Sequence, residues 1–231
     1  MSPYGVITFD GPAASGKSSV AQRIAAALDL PVVSSGLLYR AATLIAEGAQ
    51  IDLDDEEAVM ARLRRHDVEL EPVHDGNRVR LDGADVTETL HTDEVDGSVS
   101  AVARHPRVRS WVSEHLRRVA PPFVIDGRDM GTVVFPEASD KFYLTASPEV
   151  RAKRRVGERA ADLERVAHAI RRRDALDAHQ LVPANDAQRI DTDPLTLDEV
   201  VALVLEALRA RRASSVGAPT AGPTTDHAEE C

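Results

Sequence analysis

Apolar residues in the first fifty positions alternate between the short period of strands and the longer period of helices. Residues 6–9, Val-Ile-Thr-Phe, form a β-rich run that ends at Asp10-Gly11, which is typical of a buried strand entering a tight turn. From Lys17 to Leu28 apolar residues recur every fourth position and predict a helix. Residues 31–33 favour a second strand and residues 35–47 a second helix. This order opens a βαβ unit and predicts a parallel sheet.

Further elements follow in the second half of the chain. Residues 123–126 and 142–145 are apolar runs that predict two more buried strands. Thr196 and Glu199 are spaced as a capping box, in which each side chain bonds the other's backbone N–H, and they predict a helix start. That helix carries an apolar stripe of Val201, Val204, Leu205 and Leu208. Residues 213–231 lack apolar periodicity, are rich in Ala, Pro, Gly, Ser and Thr, and predict a disordered tail.

Between residues 67 and 86 the apolar period changes to two. Apolar positions alternate with polar ones in two runs, and Asp-Gly pairs supply the turns: Val68, Leu70, Asp75-Gly76, Val79, Leu81 and Asp82-Gly83. This pattern predicts a small antiparallel insert. No internal repeat is present in the sequence.

The composition fits one α/β domain with a sizeable core. The 231 residues are 43% hydrophobic and only 3% aromatic, so Ala, Val, Leu and Ile must build that core. The net charge of −10 argues against a nucleic-acid surface, but a small anionic ligand fits if basic residues gather in one cleft. Cys231 is the only cysteine, which excludes an internal disulfide. With no signal segment and no apolar run of membrane-spanning length, we expect a soluble cytoplasmic protein without membrane partners.

A phosphate-binding loop is the clearest chemical motif. Residues 11–18, Gly-Pro-Ala-Ala-Ser-Gly-Lys-Ser, fit G-x-x-x-x-G-K-[ST] in full and lie between a predicted strand and a predicted helix. The glycines let backbone N–H groups turn inward around a phosphate at the helix N-terminus. Lys17 is suited to the β- and γ-phosphates of ATP, and the Ser18 hydroxyl to Mg²⁺. The predicted ATP-binding residues of the loop are Gly11, Pro12, Ala13, Ala14, Ser15, Gly16, Lys17, Ser18 and Ser19.

The loop leaves the phosphate acceptor open. The guanine-reading Asn-Lys-x-Asp segment of GTP switches is absent, and the chain is short for a large ATPase, which favours a small-metabolite or nucleotide kinase. Asp126, at the end of a predicted strand, either holds Mg²⁺ through water or forms the turn before Gly127.

Three further segments resemble those of bacterial cytidylate kinases. Residues 34–40, Ser-Ser-Gly-Leu-Leu-Tyr-Arg, are similar to D-[ST]-G-A-x-Y-R. Residues 126–136 resemble the family's D-G-R-D-[MI]-G-[TS]-V-V-[FL]-P, and residues 100–109 its S-x-V-[AS]-x-x-P-x-V-R. Together with the loop and the β-rich insert, the resemblance covers about residues 4–212.

The resemblance implies a P-loop NTPase-type parallel sheet flanked by helices, within one kinase domain over residues 1–212. Its core would be residues 4–66 and 119–212, the acceptor-binding β insert about 67–118, and an arginine-rich helical lid about 151–180. It also implies a monomer that transfers the γ-phosphoryl group of ATP, with Mg²⁺, to CMP or dCMP by direct in-line attack.

The acceptor residues make chemical sense by themselves. A nucleotide phosphate is dianionic, and Arg40 and Arg128 are suited to clamp it bidentately. Cytosine offers an amine donor beside two acceptors, and the resemblance assigns its recognition to Asp129, Ser35 and Arg109. It assigns the ribose to Ser100, Arg173 and Asp177. The alternative interpretations are a surface ion pair for Arg128-Asp129 and plain packing for Tyr39.

Basic residues cluster between Arg151 and Arg173. They fit either a solvated helix face paired with acidic neighbours or a mobile lid whose arginines neutralise charge during phosphoryl transfer. In the second interpretation Arg154 serves the ATP side and Arg173 the acceptor side. Lys17, Arg128, Arg154 and Arg173 are then the predicted catalytic residues.

The sequence departs from the family pattern at three substituted positions and in one deletion. Gln180 stands where an arginine is usual, about four residues are missing before Leu181, and His91 and Ser34 replace an arginine and an aspartate. Two rival functions remain: a kinase for another acceptor such as UMP, dTMP or shikimate, and a nucleotide-binding module with weak or lost catalysis.

Overall fold

The computed structural model describes residues 4–73, 76–158, 163–178 and 180–216. Within these residues the strands are, in chain order, β1 (Val6–Asp10), β2 (Val32–Ser34), β3 (Val68–Val73), β4 (Gly76–Leu81), β5 (Ala84–Asp85), β6 (Phe123–Asp126), β7 (Asp140–Thr145) and β8 (Gln188–Asp191). The α-helices are α1 (Lys17–Leu28), α2 (Gly36–Gly48), α3 (Glu56–Leu63), α4 (Asp93–Ala103), α5 (Pro106–Arg117), α6 (Pro148–Glu158), α7 (Leu163–Asp177) and α8 (Leu197–Val216). A 3₁₀ turn spans Glu88–His91 and a π-helical turn spans Met130–Val134.

Five strands form a parallel sheet in the order β2-β6-β1-β7-β8. Ile7 of β1 lies opposite Val124 on one side and Asp140 on the other. Because the strands are parallel, their carboxyl ends meet at one edge of the sheet, which in α/β folds is where ligands bind. Asp10 and Asp126 end two neighbouring strands at that edge. The predicted parallel sheet is confirmed.

Helices cover both faces of the sheet, and each face has its own apolar core. One core packs α2, α3 and α5 against the sheet through side chains that include Leu38, Leu63 and Leu116. The other packs α1 and α8 through Ile24 and Val204, two members of the stripes expected from the sequence. Parallel strands buried on both faces are expected to be mainly apolar, as β1 and β6 are up to the aspartate that ends each of them.

The predicted antiparallel insert is present as the sheet β3-β4-β5. Val68 pairs with Leu81, and the buried Val79 faces the core, so the period-two pattern marks the inner face. Asp82 and Gly83 have φ values of +51° and +82° and make the expected turn. Asp75, the first residue of the other expected turn, lies outside the described residues.

Several element boundaries differ from expectation. The second strand is residues 32–34 rather than 31–33. The elements that were not predicted are the helices α3, α4 and α5, the strand β8 and the short strand β5. Helix α8 continues to Val216, which corrects the predicted boundary at residue 212 and the start of the tail at 213. Residues 217–231 of that tail lie outside the described residues. Among the helices of the described residues, none has the length and apolarity that a membrane span requires.

Candidate active site

The loop between β1 and α1 has the backbone of a phosphate cradle. Gly11, Ala14 and Gly16 all have positive φ, at +140°, +59° and +94°. A Cβ on Gly11 would lie 2.1 Å from the carbonyl oxygen of Leu144 in β7, so this position has no room for a side chain. Gly16 is the N-cap of α1, and the first amides of that helix therefore lie beside the loop. Such amides, at the positive end of the helix dipole, bind anions.

Lys17 and Ser18 bring the polar side chains of the loop together. The Lys17 ammonium donates to the Pro12 carbonyl oxygen at 2.7 Å and is largely buried. The Ser18 hydroxyl donates to Asp126 Oδ2 at 2.5 Å, which joins the loop to the end of β6. A hydroxyl beside a carboxylate offers oxygen ligands, which suit Mg²⁺. This ion takes most of its other ligands from waters and substrate phosphates. The described residues contain no group of three or more His, Cys, Asp or Glu positioned to hold a metal.

A cavity of about 530 Å³ opens on one side of the loop. Its walls are the loop and first turn of α1, Arg154 and Arg155 of α6, and the segment between Thr192 and Val200. Arg154 donates to the hydroxyl of Thr192 at 2.9 Å and to its carbonyl at 2.7 Å. Of the predicted ATP-binding residues, Ala14 to Ser19 and Arg154 line this cavity, whereas Gly11, Pro12 and Ala13 do not.

A second cavity, of about 330 Å³, opens on the other side of the loop. Six of the residues predicted to bind the acceptor line it: Ser35, Arg40, Ser100, Arg128, Asp129 and Asp177. The three positions that depart from the family pattern, Ser34, His91 and Gln180, line it as well. Arg109 is not part of the lining but is ion-paired with Asp129. The side chain of Arg173 lies outside the described residues.

The arginines of the second cavity are held by acidic partners. Arg40 pairs with Asp96 and donates to the Leu90 carbonyl at 2.9 Å. Arg128 lies 3.0 Å from Asp177 Oδ2. A guanidinium carries five N–H donors, more than these contacts occupy, so the pairs orient the groups and leave capacity for an anion. Arg128-Asp129 is not a surface ion pair, since each residue pairs elsewhere.

Ser35 and Asp129 offer oxygens that can accept hydrogen bonds from a ligand in the second cavity. The Ser35 hydroxyl donates to the Asp126 carbonyl at 2.8 Å, so towards a ligand its oxygen acts as an acceptor. Burial raises the pKa of Asp129, and the paired Arg109 guanidinium opposes that rise. Tyr39 contacts the core and also lines the cavity, and burial raises its pKa to about 12.

Helices α6 and α7 form the predicted lid region, and Arg151 connects them to the loop. This buried side chain makes a bidentate pair with Asp174 of α7 at 2.6 and 3.0 Å. It also donates to the Ala13 carbonyl at 3.2 Å. Arg151 is therefore paired but buried, which differs from the solvated helix face expected as one interpretation of the basic cluster. Arg154 and Arg155 line the first cavity.

The two cavities share a wall. Ala14, Lys17 and Ser18 line both of them, so anions bound on the two sides would meet at the lysine. Sequence reasoning missed Thr192, which holds Arg154, and Asp10, which contacts the acceptor segment. For Asp10 the available signal was a polar residue at the end of a buried strand beside the loop. Thr192 follows the edge strand β8, which is largely exposed, and had no comparable signal.

Comparison with known proteins agrees with this geometry. The family model for cytidylate kinase matches residues 7–210. The chain belongs to the cytidylate kinase family. A cytidylate kinase of Thermus thermophilus is 58% identical over 205 residues, which are 89% of this chain and 99% of the relative. One of Deinococcus deserti is 55% identical over 203 residues, 88% of this chain and 98% of the relative.

The fold is also similar to that of a solved structure of low sequence identity. The crystal structure of an uncharacterized protein from Eubacterium ventriosum superposes with a TM-score of 0.50 at 12% identity. The match covers 89% of this chain and 99% of that protein. At this identity the likeness concerns the fold alone.

Proposed function

We propose that this protein is an ATP-dependent (d)CMP kinase, which converts ATP and CMP or dCMP to ADP and CDP or dCDP. The observation that carries the proposal is the shared wall of the two cavities, where Lys17 and Ser18 face both. A phosphoryl group can pass directly between two nucleotides only if their phosphates meet, and this wall is the place where they would. Membership of the cytidylate kinase family supports the same assignment.

In this proposal the first cavity binds ATP. Amides of the loop and of the first turn of α1 hold its phosphates, while Lys17 and Arg154 neutralise their charge. Ser18 and Asp126 would hold Mg²⁺, which supplies further charge neutralisation at the phosphates when bound. Thr192 keeps Arg154 at the rim through two hydrogen bonds.

The second cavity binds the acceptor nucleotide. Arg40 and Arg128 clamp its phosphate, and an oxygen of that phosphate attacks the γ-phosphorus while the bond to the ADP oxygen breaks. No general base is needed, because the acceptor phosphate is already largely ionised at neutral pH. The side chains therefore contribute position and charge neutralisation. Ser100, Asp177 and Arg173 are proposed for the ribose.

The cavity's acceptor groups favour cytosine over uracil. Ser35 Oγ and the Asp129 carboxylate both present oxygens that accept hydrogen bonds, and cytosine offers an exocyclic amine. Uracil has a carbonyl at the same position, which would face these oxygens without a proton between them. We expect discrimination against UMP of about 10²-fold or more in kcat/KM. Arg109 holds Asp129 in place.

The test is an acceptor panel with ATP, in which ADP and the diphosphate product are both measured for CMP, dCMP, UMP, dTMP, AMP and shikimate. CMP or dCMP should have the highest kcat/KM. A higher value for another acceptor would reject the cytidylate assignment. Binding of ATP and CMP without ADP release would identify a catalytically inactive module instead.

Lys17→Ala is a second test, which concerns the phosphate loop. Turnover should fall by about 10²-fold or more while the thermal unfolding midpoint stays close to that of the wild type. A folded variant with most of its activity would reject the phosphate-loop assignment. A monomeric state and a cytoplasmic location stay predictions, and gel filtration tests the first of them.

A further inference from the structure

Asp10 is a buried carboxylate that the proposed chemistry does not use. It ends β1 immediately before the phosphate loop and is 5% exposed. Its two oxygens accept hydrogen bonds from the backbone N–H groups of Met130 and Gly131, at 2.8 and 2.7 Å. Burial of an ionised carboxylate costs free energy, and these two bonds offset part of that cost.

The contacts of Asp10 close a short loop that carries two acceptor-site residues. At the start of this loop, the Gly127 amide donates to the Phe9 carbonyl at 2.9 Å. At its end, the Met130 and Gly131 amides reach Asp10. Residues 127–131 are therefore tied to β1 at both ends. Arg128 and Asp129, which line the second cavity, lie between the two ties.

The π-helical turn that follows is held at both ends by charged side chains of suitable sign. Asp10 binds the amides of its first turn, where a negative charge is favourable. Arg117 of α5 donates to the carbonyls of Val134 and Val133 at its other end, at 2.9 and 2.8 Å, where a positive charge is favourable. The turn thus has one defined position on the sheet, and Asp129 is its N-cap.

We infer that Asp10 is a positioning residue for the acceptor nucleotide: it fixes the 127–131 loop so that Arg128 and Asp129 face the second cavity. This inference rests on the proposed function, because it takes that cavity to be the CMP site. Burial raises the pKa of Asp10 to about 6, although the hydrogen bonds from the Gly131 and Met130 amides lower it; Asp129 and Lys17 have smaller, opposite effects. At neutral pH the ionised carboxylate then accepts both amide protons.

The inference predicts an acceptor-selective defect in Asp10→Asn. The variant keeps the side-chain size but turns one acceptor oxygen into an amide group that opposes a backbone N–H. KM for CMP should rise about tenfold or more, and the CMP:UMP ratio of kcat/KM should fall. The reason is that misplacement of about 1 Å at a reacting site lowers the reaction rate by up to about 10²-fold. KM for ATP should change less, by about twofold, since the hydrogen bonds of the carboxylate go to the acceptor segment and its effect on Lys17 is electrostatic only.

Asp140→Asn is the matched control. Asp140 is a fully buried carboxylate at the amino end of β7, away from the ligand edge, where Arg211 and Arg212 pair with it. Its loss should lower the unfolding midpoint and leave both KM values and the CMP:UMP ratio unchanged. Two results for Asp10→Asn would overturn the inference. One is an equal increase of the KM values for CMP and ATP, and the other is an unchanged KM for CMP together with an unchanged CMP:UMP ratio of kcat/KM.

A second variant covers the case in which Asp10→Asn does not fold. In Gly131→Ala the new Cβ would lie 3.3 Å from Asp10 Oδ2 and 2.9 Å from Thr8 Oγ1, which disturbs the same contact from its other partner. We expect a smaller shift of the same sign in KM for CMP, and unchanged kinetics would overturn the inference. The wild type is assayed in the same series. If it transfers no phosphate to CMP, the proposed function fails, and the role of Asp10 is then judged by CMP binding in calorimetry.

Discussion

Replacing Gly11 by alanine should lower the unfolding free energy more than adding a methyl group at any other position of the phosphate loop. The new Cβ would lie 2.1 Å from the Leu144 carbonyl oxygen, and the backbone φ of +140° is one that L-residues rarely adopt. Leu144 is in a central strand and is itself fully buried, so the loop rather than the strand must move. Backbone strain costs about 1–3 kcal/mol and overpacking about 1–3 kcal/mol, which gives a loss of about 4 kcal/mol in unfolding free energy.

The assay is thermal unfolding with and without ATP, combined with ATP titration calorimetry. A loss of about 4 kcal/mol corresponds to a midpoint lower by roughly 8–16 °C for a chain of this size. Displacement of the loop by about 1 Å should weaken ATP binding by about 10²-fold, while CMP binding changes less.

Two other glycines serve as controls. Gly16→Ala has a φ of +94° but nothing within 4 Å of the new Cβ, so it should show the strain cost alone. Gly97→Ala, exposed within α4, should raise stability by about 0.5–1 kcal/mol through helix propensity. Equal stability of Gly11→Ala and Gly16→Ala would refute the steric argument.

Three further predictions concern the two cavities and the sheet edge. Arg128→Ala should lower kcat/KM for CMP by about 10²-fold or more with little change in ATP affinity by calorimetry; a loss shared equally by ATP would contradict the proposed clamp. Arg154→Ala should raise KM for ATP about tenfold, and Thr192→Val should reproduce part of that effect, because Thr192 orients the arginine; an unchanged KM for ATP in both variants would remove Arg154 from the donor site. Burial raises the Asp10 pKa from 3.8 to about 6, so its protonation contributes stability that is fully present below about pH 3.8 and lost as pH rises through 6. Between pH 4 and pH 7 the wild type should therefore lose about 2 kcal/mol of unfolding free energy relative to Asp10→Asn in urea unfolding; a constant difference would contradict the shift.

The parts of the fold predicted from sequence are those with strong apolar patterns. The strand, loop and helix of residues 6–28 combine a continuous apolar run, two glycines and a helical stripe, and each feature points to the same structure. Strand β8 was missed because residues 188–191 contain one apolar side chain, Ile190, at the edge of the sheet. The end of α8 was misplaced because Ala and Ser in residues 213–216 are compatible with either helix or tail.

The site was predictable where a motif carries the chemistry and not where a contact depends on folding. The loop and the acceptor arginines follow from residue type and spacing. By contrast, Thr192 lies 38 residues from Arg154, and Asp10 lies 120 residues from Met130. Local sequence patterns therefore do not predict either contact. The bidentate pairing of Arg151 with Asp174 likewise required two helices to come together.

The shared wall at Lys17 has a consequence for inhibitor chemistry. Because Ala14, Lys17 and Ser18 line both cavities, we expect a single molecule with adenosine at one end and cytidine at the other, joined by a chain of phosphates, to reach both. Binding of one end places the other at a high effective concentration beside its own cavity. Such a compound would discriminate against enzymes that possess an ATP-binding loop but a differently shaped neighbouring cavity.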